Sequence, residues 1–177
     1  MSSDERRARL EALFEAYARK VWAYARRRTD PATADDVVSD VFVVAWRHLD
    51  AIPADALPWL LVCARHALAN VQRGERRQRK LVERVAGAAS TSPQWSEPLR
   101  AGSLAGALST LSDRDRDALL LLAWEGLSSG QAAAVLGCSP QAFRVRAYRA
   151  RRRLAAALRR ANEAAPAQHT ATTLEDL

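Results

Sequence analysis

The stretch SSGQAAAVLGCSPQAFRVRAYR, residues 128–149, carries the densest local signal in this sequence. Ser128 is of a type that caps helices by accepting a backbone hydrogen bond, and Gly137 suits the left-handed turn at which a helix ends. Ser139 and Pro140 fit the cap and the first position of a second helix. The stretch therefore predicts a helix-turn-helix, a motif whose second helix enters the major groove of DNA.

The second helix of this motif is predicted to have one buried and one basic face. Residues 144–160 hold eight arginines and no acid. Arginine can bridge guanine O6 and N7, and an apolar side chain can contact the thymine methyl group. The predicted core residues are Ala132, Leu136, Cys138, Phe143 and Ala147, and the predicted DNA-reading residues are Gln141, Arg144, Val145, Tyr148, Arg149 and Arg152.

Outward from this motif, apolar residues recur at three- and four-residue steps and no strand-like alternation is visible, so the chain is predicted to be all-α. Residues 49–58 are predicted to be a loop because two prolines disfavour helix there, and Gly74 is expected to weaken or end the helix that follows. The predicted helices cover about residues 4–28, 31–48, 59–84, 99–108, 113–124, 129–136 and 140–160.

A composition change divides the chain into two small helical domains. Residues 86–98 are small, polar and proline-containing, which is typical of a flexible linker. The predicted domains are residues 4–85 and 99–160, and residues 161–177 are predicted to be a disordered tail.

Acidic and basic residues are concentrated in different parts of the chain. The chain has 27 Lys and Arg against 20 Asp and Glu, a net charge of +7. Residues 30–55 hold six acids against Arg47 alone, whereas residues 65–84 hold seven bases against two acids. Two basic helices on separate domains, with an acidic helix before them, predict two nucleic-acid contacts and one protein contact.

Several other classes of protein are disfavoured. Cys63 and Cys138 are far apart and form no zinc spacing with the three histidines, so we expect buried thiols and no metal or cofactor. No apolar run approaches the roughly 18 residues that a membrane helix needs. No catalytic residue set stands out, so we expect a cytoplasmic protein that is not an enzyme.

Two further blocks, together with the helix-turn-helix, resemble a known family. The first block consists of TADDVVSDVFVVAWR at residues 33–47 and PWLLVCARHALAN at residues 58–70. The second block is LSTLSDRDRDALLLLAWEGLS at residues 108–128. In this order and spacing they resemble the bacterial RNA polymerase sigma factors of the extracytoplasmic-function (ECF) type, over about residues 8–160. Such proteins contain sigma regions two and four, here residues 4–85 and 99–160.

The resemblance implies a promoter-directing function with three contact surfaces. The partners it implies are core RNA polymerase, through its β′ clamp coiled coil and β flap, and promoter DNA in double- and single-stranded form. Many members are also held by an anti-sigma protein, and the free protein is expected to be a monomer. The implied core-binding residues are Asp36, Val37, Asp40, Val44 and Arg47, and those implied at the −10 element are Arg65, His66, Asn70, Arg73, Arg76 and Arg77.

The chain departs from the family at the −10 surface. His66 stands where the family usually has asparagine, and Leu61-Val62 replaces a frequent aromatic-basic pair. His66 can hydrogen-bond a base edge or be an ordinary surface histidine, and Trp59 is either core or a stacking platform.

Three other functions remain as alternatives. A dimeric helix-turn-helix repressor or activator would explain residues 99–160, although no heptad seam is visible. A metal-dependent hydrolase would use Asp36 and Asp40, which share a helix face, but no histidine or phosphate-binding glycine loop accompanies them. An anti-sigma or structural adaptor would not need two arginine-rich helices.

Overall fold

The computed structural model describes the backbone of residues 2–86 and 103–163 and the side chains of residues 2–78 and 104–163. Seven α-helices and one short 3₁₀ turn occupy these residues, and the described ranges contain no strand. The all-α prediction is therefore confirmed. Most of the predicted linker and residues 164–177 of the predicted tail lie outside the described residues. The helices are α1 (Ser3–Arg26), α2 (Pro31–Arg47), α3 (Ala56–Ala86), α4 (Ser103–Ser109), α5 (Asp113–Ala123), α6 (Ser129–Leu136) and α7 (Pro140–Glu163).

Polar side chains fix where the first helices begin. Ser2 and Glu5 form a capping box at the start of α1. Asp30 caps α2, accepting hydrogen bonds from the Thr33 amide at 3.0 Å and the Thr33 hydroxyl at 2.6 Å. The bonds from Thr33 lower the pKa of Asp30 to about 2 because they favour its charged form.

The third helix differs from its prediction at both ends. It begins at Ala56 and already includes Pro58, because the first turn of a helix contains amides that need no partner. It also continues through Gly74, where an added Cβ atom would meet no group within 4 Å. A glycine inside a helix costs only about 1 kcal/mol, which is too little to end a 31-residue element.

Helices α1, α2 and α3 pack together as an N-terminal unit. Contacts from the start of α1 to the end of α2 show that these two helices are antiparallel, since Arg6 pairs with Asp50 at 2.9 Å and Phe14 meets Phe42 edge-on. The fully buried centre of the unit comprises Val21, Tyr24, Val37, Val41 and Leu60. Helix periodicity does not assign Tyr24 to this core.

Helices α4 to α7 form a C-terminal unit around a buried arginine. Arg116 is 5% exposed and donates to the carbonyl oxygens of Leu108 at 2.8 Å, Ser109 at 3.2 Å and Leu111 at 3.0 Å. It thereby satisfies the carbonyl groups at the end of α4 and in the turn before α5. This arginine fixes the connection between α4 and α5.

The two units also pack on each other. α3 lies against α6, and buried residues of both units, among them Leu61 and Val135, belong to one apolar cluster. The sequence predicts two domains that move independently. The structure adds a contact between them that helix periodicity does not reveal.

Candidate nucleic-acid and polymerase interfaces

The helix-turn-helix has the predicted local geometry. The Ser128 hydroxyl accepts a hydrogen bond from the Gln131 backbone amide, and the Gln131 side-chain oxygen accepts one from the Ser128 backbone amide. Gly137 ends α6 with φ of 66°, in the left-handed region. Ser139 accepts from the Ala142 amide at 3.2 Å at the start of α7. Ala132, Phe143 and Ala147 are buried as predicted, whereas Leu136 and Cys138 are partly buried.

The outer face of α7 is basic and open to solvent. Val145 is 45% and Tyr148 61% exposed, which leaves both available to a ligand. A shallow groove of about 480 Å³ runs beside Gln141, Val145 and Arg149. Arg153 is held to one side by an ion pair with the buried Asp115. All six predicted duplex-reading residues are exposed, namely Gln141, Arg144, Val145, Tyr148, Arg149 and Arg152.

The structure gathers most of the predicted −10 residues into one cleft. This cleft has a volume of about 520 Å³ and lies along α3. Arg73 donates a hydrogen bond to Asn70 within it. Arg77 is exposed but does not line the cleft. The predicted residues that do line it are Arg65, His66, Asn70, Arg73 and Arg76.

The opposite wall of the cleft belongs partly to the C-terminal unit. Asp113 and Asp117 of α5 line it together with Tyr24 and Arg28 of the N-terminal unit. Burial raises the pKa of Tyr24, so its hydroxyl is neutral at physiological pH. The cleft therefore contains carboxylates of α5 as well as the arginines of α3.

The residues that replace family positions near the cleft have different environments. Leu61 is fully buried, so it belongs to the core. Trp59 is partly buried and packs against the same core, which favours core over a stacking role. His66 is exposed and lines the cleft, where its ring could reach a base.

The six acids of residues 30–55 separate into two groups. Four are used inside the molecule: Asp30 caps α2, Asp35 accepts from the Trp22 indole, Asp50 pairs with Arg6, and Asp55 accepts from Gln131. Asp36 and Asp40 are exposed on α2, and no hydrogen bond or ion pair engages them within the described residues.

The face of α2 that is predicted to bind core RNA polymerase needs one correction. Val37 is 1% exposed and lies in the core of the N-terminal unit, so it cannot touch a partner. Val43, which the sequence pattern left unassigned, is 49% exposed. Val44 is partly buried and Arg47 is exposed. The accessible surface of α2 thus combines two acids, Val43, part of Val44 and Arg47.

No group of three or more His, Cys, Asp and Glu side chains suited to a metal ion occurs within residues 2–78 and 104–163. Asp36 and Asp40 thus lack further ligands there. Cys63 and Cys138 are both partly buried free cysteines, and burial raises the pKa of the Cys63 thiol. Among the described helices, none has the length and apolarity required to cross a membrane.

Periodicity missed the charged residues that connect elements far apart in sequence. Arg27 pairs with Glu125, Arg28 pairs with Asp117 at 2.6 Å, and Arg116 is buried in its carbonyl cluster. In a single sequence these side chains look like any solvated charges. The only available hint was the pair of adjacent arginines directly after the end of α1.

Two family descriptions match the two units. Residues 13–78 match Sigma-70 region 2, and residues 101–154 match Sigma-70, region 4. The N-terminal unit therefore corresponds to region two and the C-terminal unit to region four. These matches define a transcription initiation factor of the sigma-70 class.

Relatives that match over most of their own length identify the family within this class. ECF RNA polymerase sigma factor SigL of Mycobacterium tuberculosis is 31% identical over 83% of this chain and 87% of its own length. RNA polymerase sigma factor CnrH of Cupriavidus metallidurans is 33% identical over 70% of this chain and 72% of its own. The chain belongs to the ECF RNA polymerase sigma factors, and it directs RNA polymerase to specific promoters.

Solved structures agree with this fold. CnrH in complex with the cytosolic domain of CnrY has a TM-score of 0.55 at 29% identity, over 85% of this chain and 88% of that one. The sigma factor RpoE of Bartonella quintana, in complex with the anti-sigma factor NepR, has a TM-score of 0.61 at 24% identity, over 84% of this chain and 96% of that one. The second likeness concerns the fold alone.

Proposed function

We propose that this sigma factor uses three surfaces: α2 for core RNA polymerase, the α3 cleft for the −10 element and α7 for the −35 element. The observation that carries this proposal is the placement of two arginine-rich surfaces on separate units, with an acidic helix beside the first. The protein acts in the cytoplasm with its polymerase and catalyses no reaction itself. An anti-sigma protein is a further partner class, and the free chain is a monomer.

The surface for core polymerase consists of Asp36, Asp40, Val43, the exposed part of Val44, and Arg47. Exposed ion pairs contribute only about 1 kcal/mol each, so the apolar area of the two valines must add to the affinity. Two carboxylates without an internal partner favour a basic helical segment such as the β′ clamp coiled coil. The β flap would meet the C-terminal unit.

The α3 cleft is proposed to hold the non-template strand. Unstacking a base costs a few kcal/mol, and phosphate contacts from Arg65, Arg73 and Arg76 would offset that cost. His66 and Asn70 supply hydrogen-bonding groups for a base edge. Arg77, outside the cleft, would contact the phosphate backbone of the flanking DNA.

The exposed face of α7 is proposed to read the −35 element. Arg144 and Arg149 are suited to guanine, and Val145 and Tyr148 to thymine methyl groups. Gln141 and Arg152 flank them on the same exposed side. Each unit offers few base contacts and so binds its own element weakly, and tight binding to a promoter requires that polymerase hold both units at once.

Reconstitution with core polymerase tests this function. Added protein should direct run-off transcription from a cognate promoter, selected from a random library, whereas core polymerase alone should not. Normal binding to core without initiation on any selected promoter would contradict the proposal. A dimer that binds palindromic duplex tightly without polymerase would favour the repressor alternative.

Arg144→Ala is expected to weaken −35 recognition by about 5- to 150-fold, since a bidentate guanine contact contributes about 1–3 kcal/mol. Arg144→Lys should retain the positive charge but lose the paired hydrogen-bond donors of the guanidinium group, and so it should retain only part of the affinity for the −35 duplex. Arg160→Ala is the matched control, because it removes an exposed arginine near the far end of α7. Fluorescence anisotropy with −35 duplex measures these affinities. Core binding should be unchanged in all three variants, and equal losses for Arg144→Ala and Arg160→Ala would count against specific readout.

A further inference from the structure

An ion pair beside the outer face of α7 has no part in the proposed reading of base edges. Asp115 of α5 accepts a hydrogen bond from the Arg153 guanidinium, and their side chains are 8% and 62% exposed. Within the part of the chain that the structure describes, Asp115 and Arg116 are the two charged residues that are buried. Arg116 bonds to buried carbonyl groups, whereas the partner of Asp115 is a side chain that mostly faces solvent.

The carboxylate of Asp115 is held firmly in place. Its backbone amide donates to the Ser112 side chain at 3.3 Å in the first turn of α5, where the helix dipole favours a negative charge. The residue is 6% exposed, and α5 packs against α7. A closely packed side chain has few conformations open to it. Asp115 is therefore a rigid anchor for Arg153.

Only one end of the Arg153 guanidinium is occupied. The contact with Asp115 is made through Nη1, and a guanidinium group has five N–H donors in one plane. Within residues 2–78 and 104–163, no group accepts from its Nε or Nη2 atoms, and no other arginine of α7 pairs with an acid. Arg153 is thus oriented by one oxygen anion while it can still donate to a second.

Arg153 lies at the flank of the proposed DNA-reading face. It follows Val145 by two turns and Arg149 by one, so it is about 12 Å beyond Val145 along the helix axis and rotated by about 80° toward α5. It borders the groove beside Val145 and a second groove of about 430 Å³ further along α7. The flanks of a helix that occupies the major groove face the sugar-phosphate backbones. The nearest DNA group to Arg153 is therefore a phosphate.

We propose that Arg153 binds a phosphate at the border of the −35 major groove and that Asp115 is the positioning residue that directs it there. A buried ion pair adds little net stability, so the effect of this one is to restrict the arginine before DNA arrives. Less conformational entropy is then lost on binding. The contact would fix the register of α7 in the groove without reading sequence. This inference rests on the proposed function of α7.

Neutral phosphates test the contact with DNA. The full chain is titrated by fluorescence anisotropy with −35 duplexes that each carry one methylphosphonate in place of a phosphate. At one position the substitution should weaken binding of the parent about fivefold but that of Arg153→Gln less than about twofold. Arg153→Gln should also reduce the slope of log affinity against log salt concentration by about 0.9. Arg160→Gln, at an exposed arginine near the far end of α7, should leave the fivefold loss at that phosphate unchanged.

Asp115→Asn tests the positioning role at the same phosphate. Without the anchor, the arginine keeps its charge but loses its direction, so the loss caused by the methylphosphonate should shrink from about fivefold to about twofold. An acid that merely competed with the phosphate would make that loss grow, and a purely structural role would leave it unchanged. Asp115→Glu, which keeps the charge but moves the carboxylate, should shrink the loss as well. The unfolding midpoint of each variant, measured by circular dichroism, identifies any that fails to fold.

The outcomes separate this inference from the proposed function. If no phosphate depends on Arg153, the contact is overturned. If the loss at that phosphate is unchanged or larger in folded Asp115→Asn and Asp115→Glu, the positioning role is overturned. Equal binding of −35 and scrambled duplexes, with the Arg153-dependent phosphate retained, would contradict the proposed reading of the −35 element and support this contact.

Discussion

Arg116→Met should unfold the C-terminal unit. The substitution keeps a long side chain but removes the donors to the carbonyl groups of Leu108, Ser109 and Leu111. Each of these three acceptors left without a partner costs about 1–3 kcal/mol, so the total is on the order of 3–9 kcal/mol. A small domain has only about 5–15 kcal/mol of stability in all. The midpoint of thermal unfolding, followed by circular dichroism, should fall by more than about 10 °C.

The neighbouring arginine provides the control for this prediction. Arg114 is exposed on the same helix, so Arg114→Met should change the midpoint by no more than a few degrees. Arg116→Lys should lie between the two, because an ammonium group cannot reach three carbonyl groups in the directions that the guanidinium spans. Equal midpoints for Arg114→Met and Arg116→Met would show that the buried hydrogen bonds contribute little. Loss of −35 binding should accompany unfolding, while core binding through α2 should persist in part.

Asp36→Arg with Asp40→Arg should abolish most binding to core polymerase. Each carboxylate that meets a basic partner would become a like charge, and like charges placed opposite each other at an interface cost several kcal/mol. We expect a loss of at least about 100-fold, with affinity for −35 duplex unchanged. Neither acid has an internal partner among the described residues, so the fold should be unaffected. Surface-immobilised core polymerase and measured dissociation constants would check this expectation.

Two further variants define which part of α2 is used. Val43→Asp places a charge on the exposed apolar residue and should also weaken core binding, whereas Glu11→Arg with Glu15→Arg should not. Val37→Asp would instead destabilise the N-terminal unit, since Val37 is in its core. Normal core affinity in the Asp36 and Asp40 double variant would remove α2 from the proposed interface. Loss of −35 binding in the same variant would indicate misfolding.

The elements that sequence predicted well depend on local interactions. The helix-turn-helix is an example, since Ser128, Gln131, Gly137 and Ser139 act on backbone groups within a few residues of themselves. Most other helices also begin and end within a few residues of their predicted limits. Pro58 is an exception, because the sequence signal for a helix break is the same whether proline lies inside a helix or in its first turn.

The sequence could not predict the burial or the partners of residues whose environment is formed by distant parts of the chain. Val37 was assigned to the polymerase interface by the family resemblance alone, although it is fully buried, because a resemblance gives a position in the chain but not its exposure. Tyr24, also fully buried, was assigned to no site, because periodicity gives the direction of a face only to within a residue or so. Only the family resemblance distinguished Asp36 and Asp40 from Asp30, Asp35, Asp50 and Asp55, and it gave these four no role. Only their partners, some of them tens of residues away, show that four of the six acids stabilise the fold.

The amino-acid sequence by itself determined the all-α fold, the helix-turn-helix and the family, since caps, apolar spacing and charge blocks act over short distances. Tertiary structure alone decided which charges are buried and how α5 and α6 meet α1 and α3. The Arg27 and Glu125 pair joins residues 98 positions apart. The identity of a side chain gives its charge, but whether that charge faces water or a partner depends on the chain that folds against it.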